Sequence, residues 1–449
     1  MGSRKLRHFS PARIILLSII ATIIIGTVLL ALPIARTGPI PLIDLFFASA
    51  SATCVTGLFT IPLSDFSFFG HCVLLGLIQI GGIGLITLTV FFMSLFVNLG
   101  MATKLITGQL LDIEQWKHVK KIILFIILLT ISTELIGAFF TFIAIRSDYT
   151  TSHALFLSIF HSISSFCNAG ISLFPEGMKS YNQNYLMLLT TMALIIVGGL
   201  GFLTWRELFS YWECRAKKIQ YCLSRSTKII IIGSILITCI SAILFWILER
   251  NHALSSINNP ILVALNSLFQ GLALRGTGYT IANIWQLHTV TLFLAMIVAF
   301  IGFAPGSTGS GVKVTTFALF LATIRAAITG RTAVEINERT IPLDQVYKAI
   351  AIVSLGIGWI FFTTFFLLIT ETYSSFFPLF FEAGSAFATL GISTGITAAL
   401  SLPGKLIIIL SMIMGRIGSL TLILALRTLA LERKASAEFS YPEERILLS

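Results

Sequence analysis

"SASATCVTGLFT" occupies residues 49–60, between two long apolar runs. It is made of small, polar and glycine residues, and the same local pattern returns three more times. "TCVTGLF", "FCNAGIS", "LRGTGYT" and "FATLGIS" centre on Gly57, Gly170, Gly278 and Gly391, at separations of 113, 108 and 113 residues. Five residues before each glycine stands Ala52, Ser165, Ala273 or Ala386; one residue after stands Leu58, Ile171, Tyr279 or Ile392. A local pattern with so regular a period is an internal repeat.

Each glycine stretch ends an apolar segment too short to cross a bilayer: residues 41–54, 153–168, 260–275 and 376–389. A span needs roughly 20 apolar residues. Eight segments meet that length: 13–32, 70–97, 120–145, 184–205, 228–248, 287–327, 347–370 and 404–426. The predicted unit is therefore span, short re-entrant helix, glycine loop, span. Fold class follows: an all-α polytopic membrane protein of four such repeats around a pseudo-fourfold pore. The predicted divisions are an N-terminus at 1–12, repeat 1 at 13–97, repeat 2 with its preceding linker at 98–209, repeat 3 at 210–327, repeat 4 at 328–426 and a tail at 427–449.

Composition agrees. Of 449 residues, 56% are hydrophobic and 11% charged, against about 25% charged in soluble domains. The net charge of +11 is not spread evenly. Basic residues collect at Arg4, Lys5, Arg7 and Arg13, in 104–121, 206–228 and 325–348, and from Arg427 onward. That is the positive-inside pattern, with both termini cytoplasmic, and it excludes nucleic acid as the partner. The lipid bilayer is the partner it implies, anionic cytoplasmic lipid in part. The apolar run 14–32 exceeds a signal-peptide core of roughly 7–15 residues and reads as a retained first span. The six cysteines show neither metal nor disulfide spacing. Cys72 and Cys239, in apolar segments, are expected to be buried; Cys214 and Cys222, in a basic linker, to be reduced thiols. The seven histidines show no HExxH spacing, which argues against an embedded enzyme.

Irregular backbone survives at membrane depth only where protein buries it or water lines it. Four re-entrant loops sharing one axis meet that condition, and their carbonyl oxygens could replace the water around a dehydrated cation. The short helices would aim their negative C-terminal ends at that axis. The candidate ion-binding residues are Thr53, Cys54, Val55, Thr56 and Gly57; Cys167, Asn168, Ala169 and Gly170; Gly276, Thr277 and Gly278; and Thr389, Leu390 and Gly391.

"FIGFAPGSTGSGVKVTTF" at 300–317 breaks the sixth span with Gly302, Pro305, Gly306, Gly309 and Gly311. Two half-helices joined by a loop are expected, with Gly306, Ser307, Thr308, Gly309, Ser310, Gly311 and Lys313 as candidate gate residues. The loop lacks the GxxxxGK[ST] spacing of a nucleotide-binding P-loop. Arg416 lies about 12 residues, or about 18 Å, into the last span. A charge there must face protein or water; the two expectations for Arg416 are hydrogen bonds to carbonyls of the broken-helix loop, or a place in the pore as a barrier. Glu134, the clearest acid within a span, is expected to bond a neighbouring helix. Arg275 is expected to point away from the axis, with Glu382 as its partner.

These motifs resemble the Trk/Ktr/HKT superfamily of potassium transporters over nearly the whole chain. "TCVTGL", "FCNAGIS", "EAGSAFATLGISTG", "PGSTGSGVK" and "GRIGSLT" carry the likeness. Eight spans without an extra N-terminal pair make it most like the bacterial KtrB-type membrane subunit. The resemblance implies a K+-channel-like pore subunit of a potassium uptake system in the bacterial inner membrane, gated by the intramembrane loop. It implies K+ held by filter carbonyls, with Na+ or weakly selective monovalent transport as the alternative. It also implies a homodimer, no cofactor in this chain, and a separate cytosolic RCK-type subunit that binds nucleotide. In such proteins glycine at all four filter positions accompanies K+ preference. The third loop departs from the family pattern: Gly276 and Thr277 stand where threonine and alanine are usual.

Overall fold

The computed structural model describes residues 11–83 and 119–418, apart from 332 and 337. The predicted end of the second span beyond Ile83, most of the basic linker before Val119, all but two residues of the N-terminus and the tail from 427 lie outside the described residues. So does the last part of the eighth span.

The described residues are predominantly helical. In chain order, α1 is Pro11–Ala31, α2 Leu42–Cys54, α3 Phe68–Ile83, α4 Val119–Ile145, α5 Thr151–Phe166, α6 Tyr185–Gly199 and α7 Phe202–Ala216. They are followed by α8 Arg225–Glu249, α9 Pro260–Ala273, α10 Thr289–Phe300, α11 Val314–Ile328, α12 Leu343–Thr370, α13 Phe376–Ala388 and α14 Leu402–Ile417. A two-residue hairpin, β1 Glu335–Ile336 with β2 Arg339–Thr340, links α11 to α12. The four short helices α2, α5, α9 and α13 sit where the sequence puts them.

Among the described residues three helices are long and apolar enough to cross a membrane: Ile123–Ile145, Arg225–Glu249 and Leu343–Thr370. The predicted fourth span, 184–205, is not straight. Its helix stops at Gly199 and resumes at Phe202 bent by 97°. Gly201, at φ +85°, occupies a left-handed turn that glycine adopts without steric cost. The predicted sixth span is two half-helices, α10 and α11, joined by an irregular loop.

Helix starts are written in the sequence. Asn259 caps α9 by accepting the Ile261 N–H at 2.9 Å, with Pro260 at the first position. Ser401 caps α14 through the Gly404 N–H at 3.2 Å. Two buried acids add to this at span ends. Glu249 Oε1 accepts the His288 N–H at 2.9 Å ahead of α10, and Glu371 Oε1 accepts the Ser401 N–H at 3.1 Å ahead of α14. Each puts a carboxylate at a helix N-terminus, where the dipole favours negative charge.

The packing is cyclic. Each short helix nests within its own repeat: α2 against α1 and α3, α5 against α4 and α6, α9 against α8, α13 against α12 and α14. The second span of each repeat then meets the short helix of the next: α3 with α5, α6 with α9, α10 with α13, and α14 back to α2. A salt bridge crosses that last seam, Lys405 Nζ to Asp44 Oδ1 at 2.6 Å. Apolar side chains on the outer faces, such as Leu128, Ile232 and Phe365, are exposed, as befits a lipid-facing surface. Cys72 and Cys239 lie on such faces and are exposed, not buried as the apolar context suggested. In a membrane protein, apolar flanks do not distinguish the lipid side from the protein side.

Candidate functional site

The four glycine loops meet in a ring. A Cβ on any of the four glycines would come within 2.5 Å of a carbonyl oxygen of the next repeat. That carbonyl belongs to Ala169 for Gly57, Thr277 for Gly170, Leu390 for Gly278 and Thr56 for Gly391. Each oxygen belongs to the residue just before the next glycine, so the contact repeats four times and closes on itself. All four glycines have positive φ, from +63° at Gly170 to +90° at Gly57. Both features exclude a side chain at these positions. Each glycine is partly accessible while the residues on either side of it are buried.

In three loops the residue two before the glycine is left-handed despite carrying a side chain: Val55 at φ +57°, Asn168 at +60° and Thr389 at +50°. Non-glycine residues held there store strain, which collects at functional sites. The third loop has Gly276 in that place, at φ +143°. The buried hydroxyls of Thr53 and Thr56 have no hydrogen-bond partner among the described residues. An orphaned buried oxygen beside a ring of carbonyls is the chemistry that suits a cation.

The broken-helix loop adjoins this ring. It is folded on itself by Gly302 N–H to Val312 O at 2.9 Å and Val312 N–H to Phe300 O at 3.1 Å. It rests on the bend between α6 and α7, with Ala304 N–H to Gly199 O and Thr308 N–H to Gly198 O, both 3.1 Å, and Phe202 N–H to Gly306 O at 3.0 Å. Thr308 Oγ1 donates to Phe166 O at 2.9 Å, the end of α5. Ser307 Oγ donates to Ala304 O at 2.6 Å, and Lys313 Nζ to Gly309 O at 2.7 Å, so both brace their own loop. The loop joins the ring through side chains as well. Thr277 Oγ1 donates to Asn168 Oδ1 at 3.0 Å, and Asn168 Nδ2 to Thr308 Oγ1 at 2.7 Å.

Of the two expectations for Arg416, the structure shows the hydrogen bonds to this loop. The guanidinium donates to Thr308 O at 2.5 Å and Ser310 Oγ at 3.1 Å, and to Gly81 O in α3. Glu134 also behaves as expected: Gln79 Nε2 of α3 donates to both its oxygens, at 2.9 and 3.0 Å. The Arg275–Glu382 pairing is overturned. Arg275 is buried, donates to Gly302 O at 3.2 Å and Ser234 Oγ at 3.3 Å, and stacks over Phe303 at 4.7 Å. Glu382 instead accepts from Ser393 Oγ at 2.8 Å and from Thr397 Oγ1. Arg275 follows the helix end in chain order, and the turn carries its side chain toward the broken-helix loop.

Sequence reasoning missed the paired glycines of the spans. "IGGIG" at 80–84, "VGGLG" at 197–201 and "MGRIG" at 414–418 are one motif, and Arg416 takes the place of Gly82 and Gly199. A Cβ on Gly81, Gly198 or Gly415 would strike a carbonyl of its own repeat's short helix: Thr53, Phe166 or Phe387 respectively. These glycines let each span press against the end of its pore helix. A comparison of the second spans at the repeat period would have shown them.

Comparison with known proteins gives the family and the fold. The TrkH family, described as "Cation transport protein", matches residues 12–437. The Ktr system potassium uptake protein B of Bacillus subtilis is 35% identical over 93% of this chain and 93% of its own. The potassium/sodium uptake protein NtpJ of Enterococcus hirae is 32% identical over 100% of this chain and 99% of its own. The crystal structure of the potassium transporter TrkH from Vibrio parahaemolyticus shares the fold, with a TM-score of 0.73, 19% identity, and coverage of 95% of this chain and 86% of that one.

Proposed function

This chain belongs to the TrkH family of cation transport proteins, and from that premise we infer that it is the pore-forming subunit of a potassium uptake system. The observation that carries this reading is the closed ring of four glycine loops. The pore runs through the ring. Loop carbonyls replace the hydration shell of K+, and the C-terminal ends of α2, α5, α9 and α13 add negative potential. The loop at 306–311, held by Arg416, is the gate, and it opens by leaving the bend between α6 and α7. Opening is driven by a cytosolic nucleotide-binding RCK-type subunit on a separate chain. The protein is a homodimer in a bacterial inner membrane, with both termini cytoplasmic.

A second reading, transport of Na+ or weak selectivity, is supported by two observations. One relative is named for both ions, and the turn of the third loop differs from the other three. Cells lacking their own K+ uptake test the main reading. Expression of this chain with a regulator is expected to restore growth on limiting K+. Verified membrane expression with Na+ uptake and no K+ rescue would favour the second reading.

A further inference from the structure

Three of the four pore helices carry a serine six residues before the filter glycine: Ser51, Ser164 and Ser385. Each clamps its own returning strand. Ser51 Oγ accepts the Gly57 N–H at 3.1 Å. Ser164 Oγ donates to Ile171 O at 2.7 Å and accepts its N–H at 2.9 Å. Ser385 Oγ donates to Ile392 O at 2.6 Å. Their backbone carbonyls also take the N–H of the residue before the glycine, at 2.8 Å in each case: Thr56, Ala169 and Leu390.

The third repeat lacks this device. Its equivalent residue is Leu272, a buried member of the apolar core. The backbone turn differs too. Gly276, Thr277 and Gly278 all direct their N–H groups at one oxygen, Ala273 O, at 3.3, 3.0 and 3.2 Å. A carbonyl oxygen has two lone pairs, so three donors share less than three full bonds. The third strand is held to its own helix by a different side chain, Gln270, whose Oε1 accepts the Ile281 N–H at 3.2 Å.

A tie from outside the repeat is added to it. Leu58, Ile171 and Ile392 follow the other glycines, but Tyr279 follows Gly278. Tyr279 is 2% exposed. Its hydroxyl lies 3.1 Å from Ser165 Oγ and donates to Ser164 Oγ at 3.2 Å. Both serines belong to the pore helix of the second repeat, and Ser164 is the residue that clamps the second strand. His161 backs the contact: its ring lies 5.3 Å from that of Tyr279, and its Nε2 is 3.3 Å from Ser165 Oγ and 2.9 Å from Thr191 Oγ1. Within the third repeat, Gln270 Nε2 donates to Tyr279 O at 3.2 Å.

We propose that Tyr279 is a positioning residue for ion selection: its hydroxyl sets the third filter strand against the pore helix of the second repeat. The width of the ring at that seam, and with it the preference for K+ over Na+, depends on a contact between repeats. The other three strands depend on a serine within their own. This inference rests on the pore reading above.

The test is cation flux through the full-length protein reconstituted in liposomes together with a cytosolic RCK-type regulator. Rb+ uptake is measured against Na+ competition, with thermal stability followed in parallel. Tyr279→Phe keeps the ring and removes only the hydroxyl, and Ser164 retains Ile171. Ser165→Ala removes one hydroxyl partner and leaves Tyr279 intact. Both variants are expected to transport Rb+ with a Rb+ over Na+ preference lowered about three- to tenfold, the effect of one or two buried hydrogen bonds. A wild-type preference in both variants, with or without lower thermal stability, would overturn the role of Tyr279 and leave the pore reading standing. Absence of any cation flux through the wild-type protein would overturn both.

Discussion

Asn168 Nδ2 donates to Thr308 Oγ1 at 2.7 Å, so a residue of the second glycine loop is bonded directly to the broken-helix loop. Thr308 Oγ1 in turn donates to Phe166 O at 2.9 Å, and Thr308 O accepts from Arg416 at 2.5 Å. A loop that moves aside must break these bonds together. Thr308→Val keeps the volume and loses both hydroxyl contacts. The loss costs about 1–3 kcal/mol against the closed arrangement, or about five- to hundredfold in its population. Rb+ leak into liposomes without a regulator is expected to rise accordingly. Unchanged leak would exclude Thr308 from the latch.

Arg416 bridges two elements, reaching Thr308 O in the loop and Gly81 O in α3. A planar guanidinium can donate to two carbonyls in fixed directions, whereas an ammonium acts as a point charge. Arg416→Lys is therefore expected to keep the charge yet raise the regulator-free leak, and Arg416→Gln is expected to do the same. A leak at wild-type level in the lysine variant would mean that charge alone holds the loop.

Gly57 and Gly306 both have positive φ, +90° and +66°. They differ in what surrounds them. A Cβ at Gly57 would strike Ala169 O, whereas none lies within 4 Å of one at Gly306. Gly57→Ser is expected to reduce K+ preference at least tenfold in competitive uptake. Gly306→Ala carries only the left-handed penalty of about 1–2 kcal/mol and is expected to leave selectivity unchanged. Equal effects in the two variants would contradict the ring geometry.

The Asp44–Lys405 bridge closes the seam between first and last repeats at 2.6 Å, with both side chains largely buried. Removing one partner strands the other, at a cost of about 3–5 kcal/mol. Asp44→Asn is expected to lower the melting temperature in detergent. The double variant Asp44→Asn with Lys405→Met is expected to recover part of it. No recovery would assign the loss to Asp44 alone.

The repeat was legible because glycine, small residues and a too-short apolar helix recur at one period, and Arg416 because a mid-span charge is rare. The broken sixth span was legible from Pro305 and its glycines. The bend after Gly199 was not, because apolar residues continue across it and length alone reads as one span. The outward placement of Cys72 and Cys239 was hidden for a related reason: lipid and protein interior select the same side chains. Arg275 went to Gly302 O and Phe303, not Glu382, since the partner of a buried charge depends on chain paths that spacing does not encode. The substitution of Leu272 for a clamping serine was written in the alignment of the four repeats, yet its meaning needed the Tyr279 contact across the seam.

The central claim is that the four glycine loops hold a cation on a shared axis. Crystals grown with Rb+ or Tl+ and measured for anomalous scattering test it most directly. The account predicts anomalous peaks on the axis between Gly57, Gly170, Gly278 and Gly391, weakened by excess K+ and absent in Gly57→Ser. Peaks confined to other places in a crystal with the ring well ordered would contradict it.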